Sequence, residues 1–152
     1  MLVECVKGQE RDKMRVWARA QRDGLDRLDR ARASARIGAQ ACALPEVRAA
    51  KSVLLYCAFR SEVATATLAE RLLALGKTVC VPLTVPEKQS MLPLMLHDYG
   101  ALQPGYQEIP EPRWRKAALF PALSLDIVIL PGLLFDRRGM IEIGRASCRE
   151  RV

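Results

Sequence analysis

The sequence LDIVILPGLLFDRRG, residues 125–139, contains the clearest strand signal in the chain. The apolar run Ile127–Leu130 predicts a strand that is buried on both faces, and Asp126 and the Pro131-Gly132 pair are the turn residues that bound it. Such a strand is typical of a parallel sheet covered by helices, and these sheets bind ligands beyond the carboxyl ends of their strands. We therefore expect a binding site at residues 131–136.

A strand–helix–strand unit is predicted in the middle of the chain. Ser52–Phe59 is almost wholly apolar and predicts a central strand, and Thr78–Leu83 predicts the next one. Between them, Ser61 is a suitable helix N-cap, Glu62 falls in the first turn where the helix dipole favours a carboxylate, and Gly76 is placed to end the helix. This pattern is typical of a right-handed parallel crossover.

Two helices are predicted ahead of this unit. Arg11–Leu25 has apolar residues at helical spacing, with Trp17 as the anchor of the buried stripe. Leu25–Leu44 continues the helical pattern until Pro45, and residues 47–50 are predicted to be a short link. The first helix also carries four arginines at helical spacing, Arg11, Arg15, Arg19 and Arg22. They indicate either a solvated face paired with nearby aspartates or a basic surface for an anionic partner.

Residues 91–114 are predicted to lie outside the centre of the sheet. Met91–Tyr99 alternates loosely and contains Pro93, which favours an edge strand. We interpret His97 as a surface residue, because the surrounding sequence offers it no nucleophile or metal partner. Leu102–Trp114 is predicted to be a loop.

The composition is that of an ordinary globular protein. Half of the 152 residues are hydrophobic and about a quarter are charged, which fits one compact domain. No apolar run approaches the roughly 20 residues of a membrane helix, and the N-terminus lacks the apolar core of a signal peptide, so a cytoplasmic protein with no membrane partner is expected. Five scattered cysteines and one histidine indicate neither a zinc site nor a disulfide framework, and Cys57 and Cys80 are predicted to be buried thiols.

Residues 142–152, EIGRASCRERV, do not continue the pattern of the preceding residues. They match the translation of a common sequencing adapter, so we expect a domain of residues 1–141 followed by a non-native tail. The tail holds three arginines and two glutamates, so the chain without it has a formal net charge of +6 in place of +7. This basic charge favours anionic partners.

These elements predict an α/β domain of three layers: a mostly parallel sheet with helices on both faces, preceded by two N-terminal helices. The residues at the carboxyl ends of the strands would be Cys57, Arg60 and Glu62 after the first strand and 131–136 after the last. No catalytic triad or zinc motif is present, and GLLFDRRG is not a P-loop because the GK[ST] ending is missing. The residues alone therefore leave the chemistry open.

Five segments, in order, resemble the 5-formyltetrahydrofolate cyclo-ligase family, also called methenyltetrahydrofolate synthetase. They are the basic N-terminal helix with Arg11 and Arg15 four residues apart, AAKSVLLYCAFRSEVATATL, GKTVCVPLTV, YQEIPEP and LDIVILPGLLFDRRG. The resemblance implies a ligase of one-carbon metabolism that uses ATP and Mg2+ to convert 5-formyltetrahydrofolate to 5,10-methenyltetrahydrofolate. It also implies a monomer with no nucleic-acid partner.

The resemblance implies roles for individual residues as well. Arg11 and Arg15 would contact the ATP phosphates. Cys57 and Glu62 would line the folate pocket, where Glu62 would accept hydrogen bonds from ring N–H groups. The other walls would come from two segments, through Ile109, Pro110, Glu111, Pro112, Gly132 and Phe135. Each of these residues also has an alternative interpretation: Glu62 as a first-turn helix carboxylate, Arg15 as a surface arginine and Asp136 as a turn residue.

The sequence departs from the family pattern at three places. Arg11 stands where many members have lysine, and Ala64 stands where an acidic residue is common. After Gly139 the family continues with a glycine-rich segment, RLGYGGGYYDRFL, that wraps the ATP phosphates and supplies a metal-binding aspartate, whereas residues 140–152 here read MIEIGRASCRERV. We therefore expect a domain that is incomplete at its C-terminus and an inactive chain, and we assign neither a catalytic residue nor a metal ligand.

Two other functional classes fit the residues. The arginines between Arg11 and Arg36 would suit a non-catalytic protein that binds anions or nucleic acid, but acidic residues interrupt them and aromatic stacking residues are scarce. A similar sheet would also suit another nucleotide- or sugar-phosphate-handling enzyme, because a fold does not fix its chemistry.

Overall fold

The computed structural model describes residues 8–114, 119–135, 137 and 141–144. The chain forms two compact units: the sheet unit, Arg27–Leu130, and the terminal unit, Met1–Asp26 with Pro131–Val152. In chain order the elements are α1 (Gly8–Asp23), α2 (Arg27–Ala43), α3 (Pro45–Ala49), β1 (Ser52–Leu55), α4 (Ala66–Ala74), β2 (Thr78–Val85), β3 (Ser90–Met95), β4 (Gln103–Pro104), β5 (Pro110–Glu111), β6 (Ile127–Ile129), β7 (Gly132–Phe135) and β8 (Ile141–Gly144).

The sheet unit is built on four strands in the order β3-β2-β1-β6. β1 pairs in parallel with β2 on one side and with β6 on the other, so that Val53 lies between Val79 and Ile127. β3 runs antiparallel to β2 at one end of the sheet, and His97, just beyond β3, is exposed. The predicted α/β class with a mostly parallel sheet is confirmed, and so are the edge strand around Pro93 and the surface position of His97.

The core lies between the sheet and the helices α3 and α4. Val53 and Leu55 of β1 and Val79 and Val81 of β2 are buried on the same face, because alternate residues of a strand point to the same side. They form one cluster with side chains from the two helices, Val47, Leu68, Ala69 and Leu72. Burial of a Val or Leu side chain contributes about 1.5–3 kcal/mol, so this cluster supplies much of the hydrophobic stabilisation of the unit.

β6 is present and parallel, as predicted, but it is not buried on both faces. It is the last strand of the four-stranded sheet, and within the described residues it pairs only with β1. Val128 is 48% exposed, whereas Ile127 and Ile129 pack against the core. The prediction of double burial is wrong because an apolar run does not distinguish a strand covered on both faces from an edge strand with one uncovered apolar face.

The helices ahead of β1 agree with the predicted segments, with two corrections. α2 ends at Ala43, and the short helix α3 begins at Pro45 in place of the link predicted at residues 47–50. Proline suits the first turn of a helix, where its missing N–H removes no intrahelical hydrogen bond. In α1, Trp17 is 60% exposed while Ala18 is buried, so Trp17 is not the anchor of the buried stripe.

The terminal unit contains α1 and the antiparallel pair β7–β8, in which Gly132 lies opposite Gly144. β8 includes the first residues of the predicted tail, and the rest of that tail lies outside the described residues. The domain boundary at residue 142 therefore stays a prediction. No helix in the described part of the chain is long and apolar enough to cross a membrane.

A carboxylate joins the amino ends of β1 and β6. Asp126 Oδ2 accepts hydrogen bonds from the backbone N–H groups of Ser52 and Lys51, each at 2.9 Å, and lies 3.0 Å from Ser52 Oγ. Ser52 Oγ accepts in turn from the Asp126 N–H at 3.0 Å. The backbone donors of Ser52 and Lys51 stabilise the ionised carboxylate and lower the pKa of Asp126 below its usual value. This reciprocal contact fixes which residues of the two strands lie side by side.

We expect Asp126→Asn to lower the urea midpoint of unfolding at pH 7. Because the folded-state pKa of Asp126 is depressed, its ionised form contributes stability above the unfolded-state pKa of about 4. That contribution is lost as the pH falls through the folded-state pKa. Urea unfolding of both proteins between pH 7 and pH 3 should therefore show a difference that shrinks in acid. A difference that stays constant with pH would show that the charge does not stabilise the contact.

Candidate functional site

The strand-end loop, residues 56–65, follows β1 at its carboxyl end. β1 ends at Leu55 instead of continuing to Phe59 as predicted. Within the loop, Cys57 is fully buried and belongs to the core cluster, and Glu62 is half-buried. The loop therefore presents a partly accessible carboxylate at a strand end, where parallel sheets bind ligands.

A tight turn holds Glu62 within the strand-end loop. Glu62 Oε2 accepts a hydrogen bond from the Phe59 N–H at 3.0 Å, and the Glu62 N–H donates to the Phe59 carbonyl at 3.2 Å. Between them, Arg60 has a φ of 56°, in the left-handed region that residues other than glycine rarely adopt. The Glu62 side chain thus closes a strained turn, and backbone strain of this kind is concentrated at functional sites.

The helix after this turn begins later than predicted. α4 starts at Ala66, so Ser61 is not its N-cap and Glu62 is not in its first turn. Just before the helix, Thr65 Oγ1 donates to the Tyr56 carbonyl at 2.9 Å and ties the loop back to the end of β1. The interpretation of Glu62 as a first-turn helix carboxylate is therefore wrong.

A cavity of about 170 Å³ lies beside the strand-end loop, between α2 and α4. Ala64 and Thr67 line one side of it, and Ser34 and Gly38 of α2 line the other. The Ala64 N–H donates to Ser34 Oγ at 3.1 Å and so joins the loop to α2.

The segment Ile109–Pro112 is held against the sheet by the side chain of Glu111. This carboxylate is 8% exposed; its Oε1 accepts from the Thr84 N–H at 3.1 Å and from the Thr84 hydroxyl, and its Oε2 accepts from the Tyr106 N–H at 3.3 Å. Both oxygens are therefore used within the fold. The other three residues of the segment are buried or half-buried, Ile109, Pro110 and Pro112.

We expect Gly105→Ala to lower the free energy of unfolding by about 1–3 kcal/mol, because the added methyl group would overlap Glu111. A Cβ atom at Gly105 would lie 2.7 Å from Glu111 Cβ. The matched control is Gly38→Ala in α2, where the new Cβ would meet Leu68 at an ordinary 3.8 Å. Alanine is favoured over glycine in a helix by about 1 kcal/mol, so this control should stabilise the protein. Thermal unfolding measures both changes, and equal stability of Gly105→Ala and wild type would contradict the close packing.

In the terminal unit, the candidate residues come from α1 and β7. Arg11 and Arg15 lie one turn apart on the same face of α1 and are half-buried, and Arg15 Nε is shielded from solvent. Arg15 is therefore not a fully solvated surface arginine. On β7, the Phe135 ring lies against Gly132, where an added Cβ would approach ring atom Cε1 to 2.7 Å. Gly132 thus leaves room for a ring that is itself 57% exposed.

The structure places the predicted binding residues in two groups. The sheet unit holds Cys57, Glu62 and Ile109–Pro112, and the terminal unit holds Arg11, Arg15, Gly132 and Phe135. Asp136 lies outside the described residues. Among the residues that are described, no three histidine, cysteine or acidic side chains are grouped so as to hold a metal ion. Sequence reasoning missed the hydrogen bond that Thr65 makes across the strand-end loop. The indication that the sequence offered was a threonine near a predicted helix start.

The two cysteines that were predicted to be buried thiols are both buried. Cys57 and Cys80 are fully shielded from solvent, and burial raises the pKa of the Cys80 thiol to about 11. A thiol with this pKa is protonated at neutral pH and is a poor nucleophile. Cys80 is therefore a packing residue of β2.

Sequence comparison matches residues 6–145 to the profile of the 5-formyltetrahydrofolate cyclo-ligase family. A 5-formyltetrahydrofolate cyclo-ligase of Haemophilus influenzae is 30% identical over 132 residues, which are 86% of this chain and 71% of that protein. The family resemblance of the five segments is therefore confirmed, and the match extends past residue 142 into the predicted tail.

Two solved structures share the fold. The 5,10-methenyltetrahydrofolate synthetase of Aquifex aeolicus superimposes with a TM-score of 0.77 at 24% identity, covering 91% of this chain and 69% of that one. The 5,10-methenyltetrahydrofolate synthetase of Mycoplasma pneumoniae gives a TM-score of 0.67 at 14% identity, covering 90% of this chain and 72% of that one. At these identities the likeness supports the α/β fold and leaves the residue roles to be tested.

Proposed function

Because the chain belongs to the 5-formyltetrahydrofolate cyclo-ligase family, a family of ligases, we propose that it converts 5-formyltetrahydrofolate to 5,10-methenyltetrahydrofolate with ATP and Mg2+. The observation that carries this proposal is the family match over residues 6–145. The half-buried carboxylate of Glu62 at the end of β1 supports it. We further propose that the protein works in the cytoplasm as a monomer, without nucleic-acid or membrane partners.

The proposed reaction replaces the formyl oxygen, which is a poor leaving group, by the second nitrogen of the folate, which loses its proton as the new ring forms. The γ-phosphoryl group of ATP moves to the formyl oxygen and ADP is released. The second nitrogen of the folate then attacks the formyl carbon, and phosphate leaves as the ring closes. Such transfers depend on positioning and on neutralisation of phosphate charge, to which Mg2+ contributes, more than on acid–base catalysis. This suits a chain whose single histidine is exposed.

We assign folate recognition in the sheet unit to the strand-end loop and to Ile109–Pro112. The Glu62 carboxylate would accept hydrogen bonds from ring N–H groups, and its contact with the Phe59 N–H at 3.0 Å fixes its direction. Cys57 would add apolar surface. Both oxygens of Glu111 already accept hydrogen bonds within the fold, so Glu111 would shape the pocket without binding the folate directly.

In the terminal unit, we assign the ATP phosphates to Arg11 and Arg15. Two guanidinium groups one helical turn apart provide several N–H donors in a fixed geometry that suits phosphate oxygens. The half-buried position of both side chains supports this role, because a partly shielded cation attracts an anion more strongly than a solvated one. Gly132 and the exposed ring of Phe135 would contribute apolar surface for the folate.

We also propose that residues 142–152 are not native and that the chain in this form is inactive. Residues 140–152 contain none of the glycine-rich segment that the family pattern has after Gly139. Successive backbone N–H groups in such a segment form the cradle that phosphates occupy. The extended protein is defined here as this chain with residues 140–152 replaced by the genomic continuation of its reading frame.

We expect the extended protein to consume 5-formyltetrahydrofolate only when ATP and Mg2+ are both supplied. We expect the present chain to be at least about 100-fold slower, because it lacks phosphate contacts that stabilise the transition state. The product absorbs in the near ultraviolet, so absorbance follows the reaction directly. Turnover without ATP would refute the proposed reaction. If the rate of the present chain is within about tenfold of the rate of the extended protein, the activation free energies differ by only about 1.4 kcal/mol. That result would show that the native residues after Gly139 are dispensable.

In the extended protein, we expect Glu62→Gln to weaken the binding of 5-formyltetrahydrofolate by about 1.5–3 kcal/mol. The amide keeps the shape of the side chain but loses the charged acceptor. Glu70→Gln, at an exposed position on α4, is the matched control and should leave the KM for folate unchanged. Steady-state kinetics with saturating ATP measure the effect. Wild-type kinetics for Glu62→Gln would show that Glu62 serves the turn alone.

For the phosphate contacts, we expect Arg15→Gln to raise the KM for ATP by about tenfold or more, since a hydrogen bond to a charged group contributes about 1.5–3 kcal/mol. Arg19→Gln removes an exposed arginine from the same helix and is the matched control. The KM for folate should stay unchanged in both variants. An equal rise in the KM for ATP in the two variants would indicate only the loss of general positive charge.

A further inference from the structure

Thr65 occupies the N-cap position of α4 but does not cap the helix. Its side chain makes no hydrogen bond to the first turn, although threonine at this position commonly does and thereby stabilises a helix. Instead, Thr65 is 2% exposed and its Oγ1 donates to the Tyr56 carbonyl at 2.9 Å. The hydroxyl therefore joins the start of α4 to the end of β1.

Tyr99 completes this contact. Thr65 Oγ1 lies 3.1 Å from Tyr99 Oη, and because the single Thr65 hydroxyl proton is given to the Tyr56 carbonyl, Tyr99 is the donor. Tyr99 packs against the core cluster, so its hydroxyl has a fixed position. A further hydrogen bond crosses the loop: Tyr56 Oη donates to the Val63 carbonyl at 2.9 Å.

These hydroxyl contacts close the strand-end loop around Glu62. On the N-terminal side of Glu62, Arg60 adopts a left-handed backbone conformation, and on the C-terminal side the helix lacks its side-chain cap. Each of these local features lowers local stability. A loop that retains both costs and is fixed by three hydroxyl hydrogen bonds is organised for a purpose other than local stability.

We propose that Thr65 and Tyr99 are positioning residues that hold the strand-end loop in the conformation in which Glu62 binds the folate. This inference rests on the proposed function of Glu62. In this arrangement the Thr65 hydroxyl acts on the loop and not on the substrate, since its proton and an acceptor lone pair are both used within the fold. Loss of the Thr65 hydroxyl frees the loop to move. A displacement of about 1 Å of a binding group such as the Glu62 carboxylate greatly weakens its contact with the substrate.

Hydrogen exchange of the present chain tests the structural part without substrate. The N–H groups of Phe59 and Glu62 are both hydrogen-bonded within the turn. We expect Thr65→Val to accelerate exchange at these two amides by at least about tenfold and to leave Val53 in β1 unchanged. Thr65→Ser, which keeps the hydroxyl, should exchange like wild type. Equal acceleration at Val53, or none at Phe59 and Glu62, would overturn the proposal.

Kinetics of the extended protein test the functional part. We expect Thr65→Val to raise the KM for 5-formyltetrahydrofolate by about tenfold and to leave the KM for ATP unchanged. Tyr99→Phe should raise the KM for folate by a smaller factor. Thr65→Ser, which keeps the hydroxyl, should have the wild-type KM for folate. Asp126→Asn controls for lost stability, because it acts at the amino ends of the strands, and it should leave both KM values unchanged.

Different results would contradict the proposed function and the positioning role of Thr65. If the extended wild-type protein has no ATP-dependent turnover, the proposed function is wrong, and the exchange data still decide whether Thr65 holds the loop. If it turns over substrate and Thr65→Val keeps the wild-type KM for folate, the positioning role is wrong and the proposed function stands. A rise in both KM values would also overturn the positioning role, because a residue of the folate site should not affect ATP.

Discussion

The sheet unit depends on the alignment of β1 with a parallel neighbour on each side. Parallel strands have no connecting hairpin to set their register, so side-chain contacts must set it. The reciprocal hydrogen bonds between Asp126 and Ser52 do so between β1 and β6 at their amino ends. A slip of one residue would turn Val53 and Leu55 away from the core cluster. Because the register is fixed there, the strand-end loop begins at a defined point at the opposite end of β1.

The strands β1, β2, β3 and β6 could be predicted because apolar runs are strong local signals, whereas their order in the sheet was not predicted. The start of α4 could not be predicted in the same way. Ser61 and Glu62 satisfy the local rules for a helix start, yet the helix begins at Ala66, and Thr65 just before it is hydrogen-bonded to Tyr56 at the other end of the strand-end loop. Local capping preferences describe an isolated helix, and a tertiary hydrogen bond of similar strength overrides them.

Sequence reasoning also could not predict which face of α1 is buried. Helical periodicity gave both an apolar stripe and an arginine stripe, but periodicity does not say which stripe is covered. In the structure Trp17 is exposed, whereas Arg11 and Arg15 are half-buried beside the buried Ala18. Arginine tolerates this position because its long aliphatic part can pack while the guanidinium group keeps polar partners. Periodicity alone indicates a solvated or anion-binding face for these arginines. The family resemblance implies the more specific role of contacting the ATP phosphates.

Glu62 and Glu111 are two carboxylates of the sheet unit with different surroundings. Glu111 is 8% exposed and receives donors from Thr84 and Tyr106 on both of its oxygens, so another partner would have to displace a bond that holds β5 to β2. Glu62 remains half-buried, and the strained turn that it closes is held by hydroxyl groups on its C-terminal side. Fixing a carboxylate while leaving it accessible costs local stability without adding to the core. Such an arrangement supports the proposed role of Glu62 in binding a ligand.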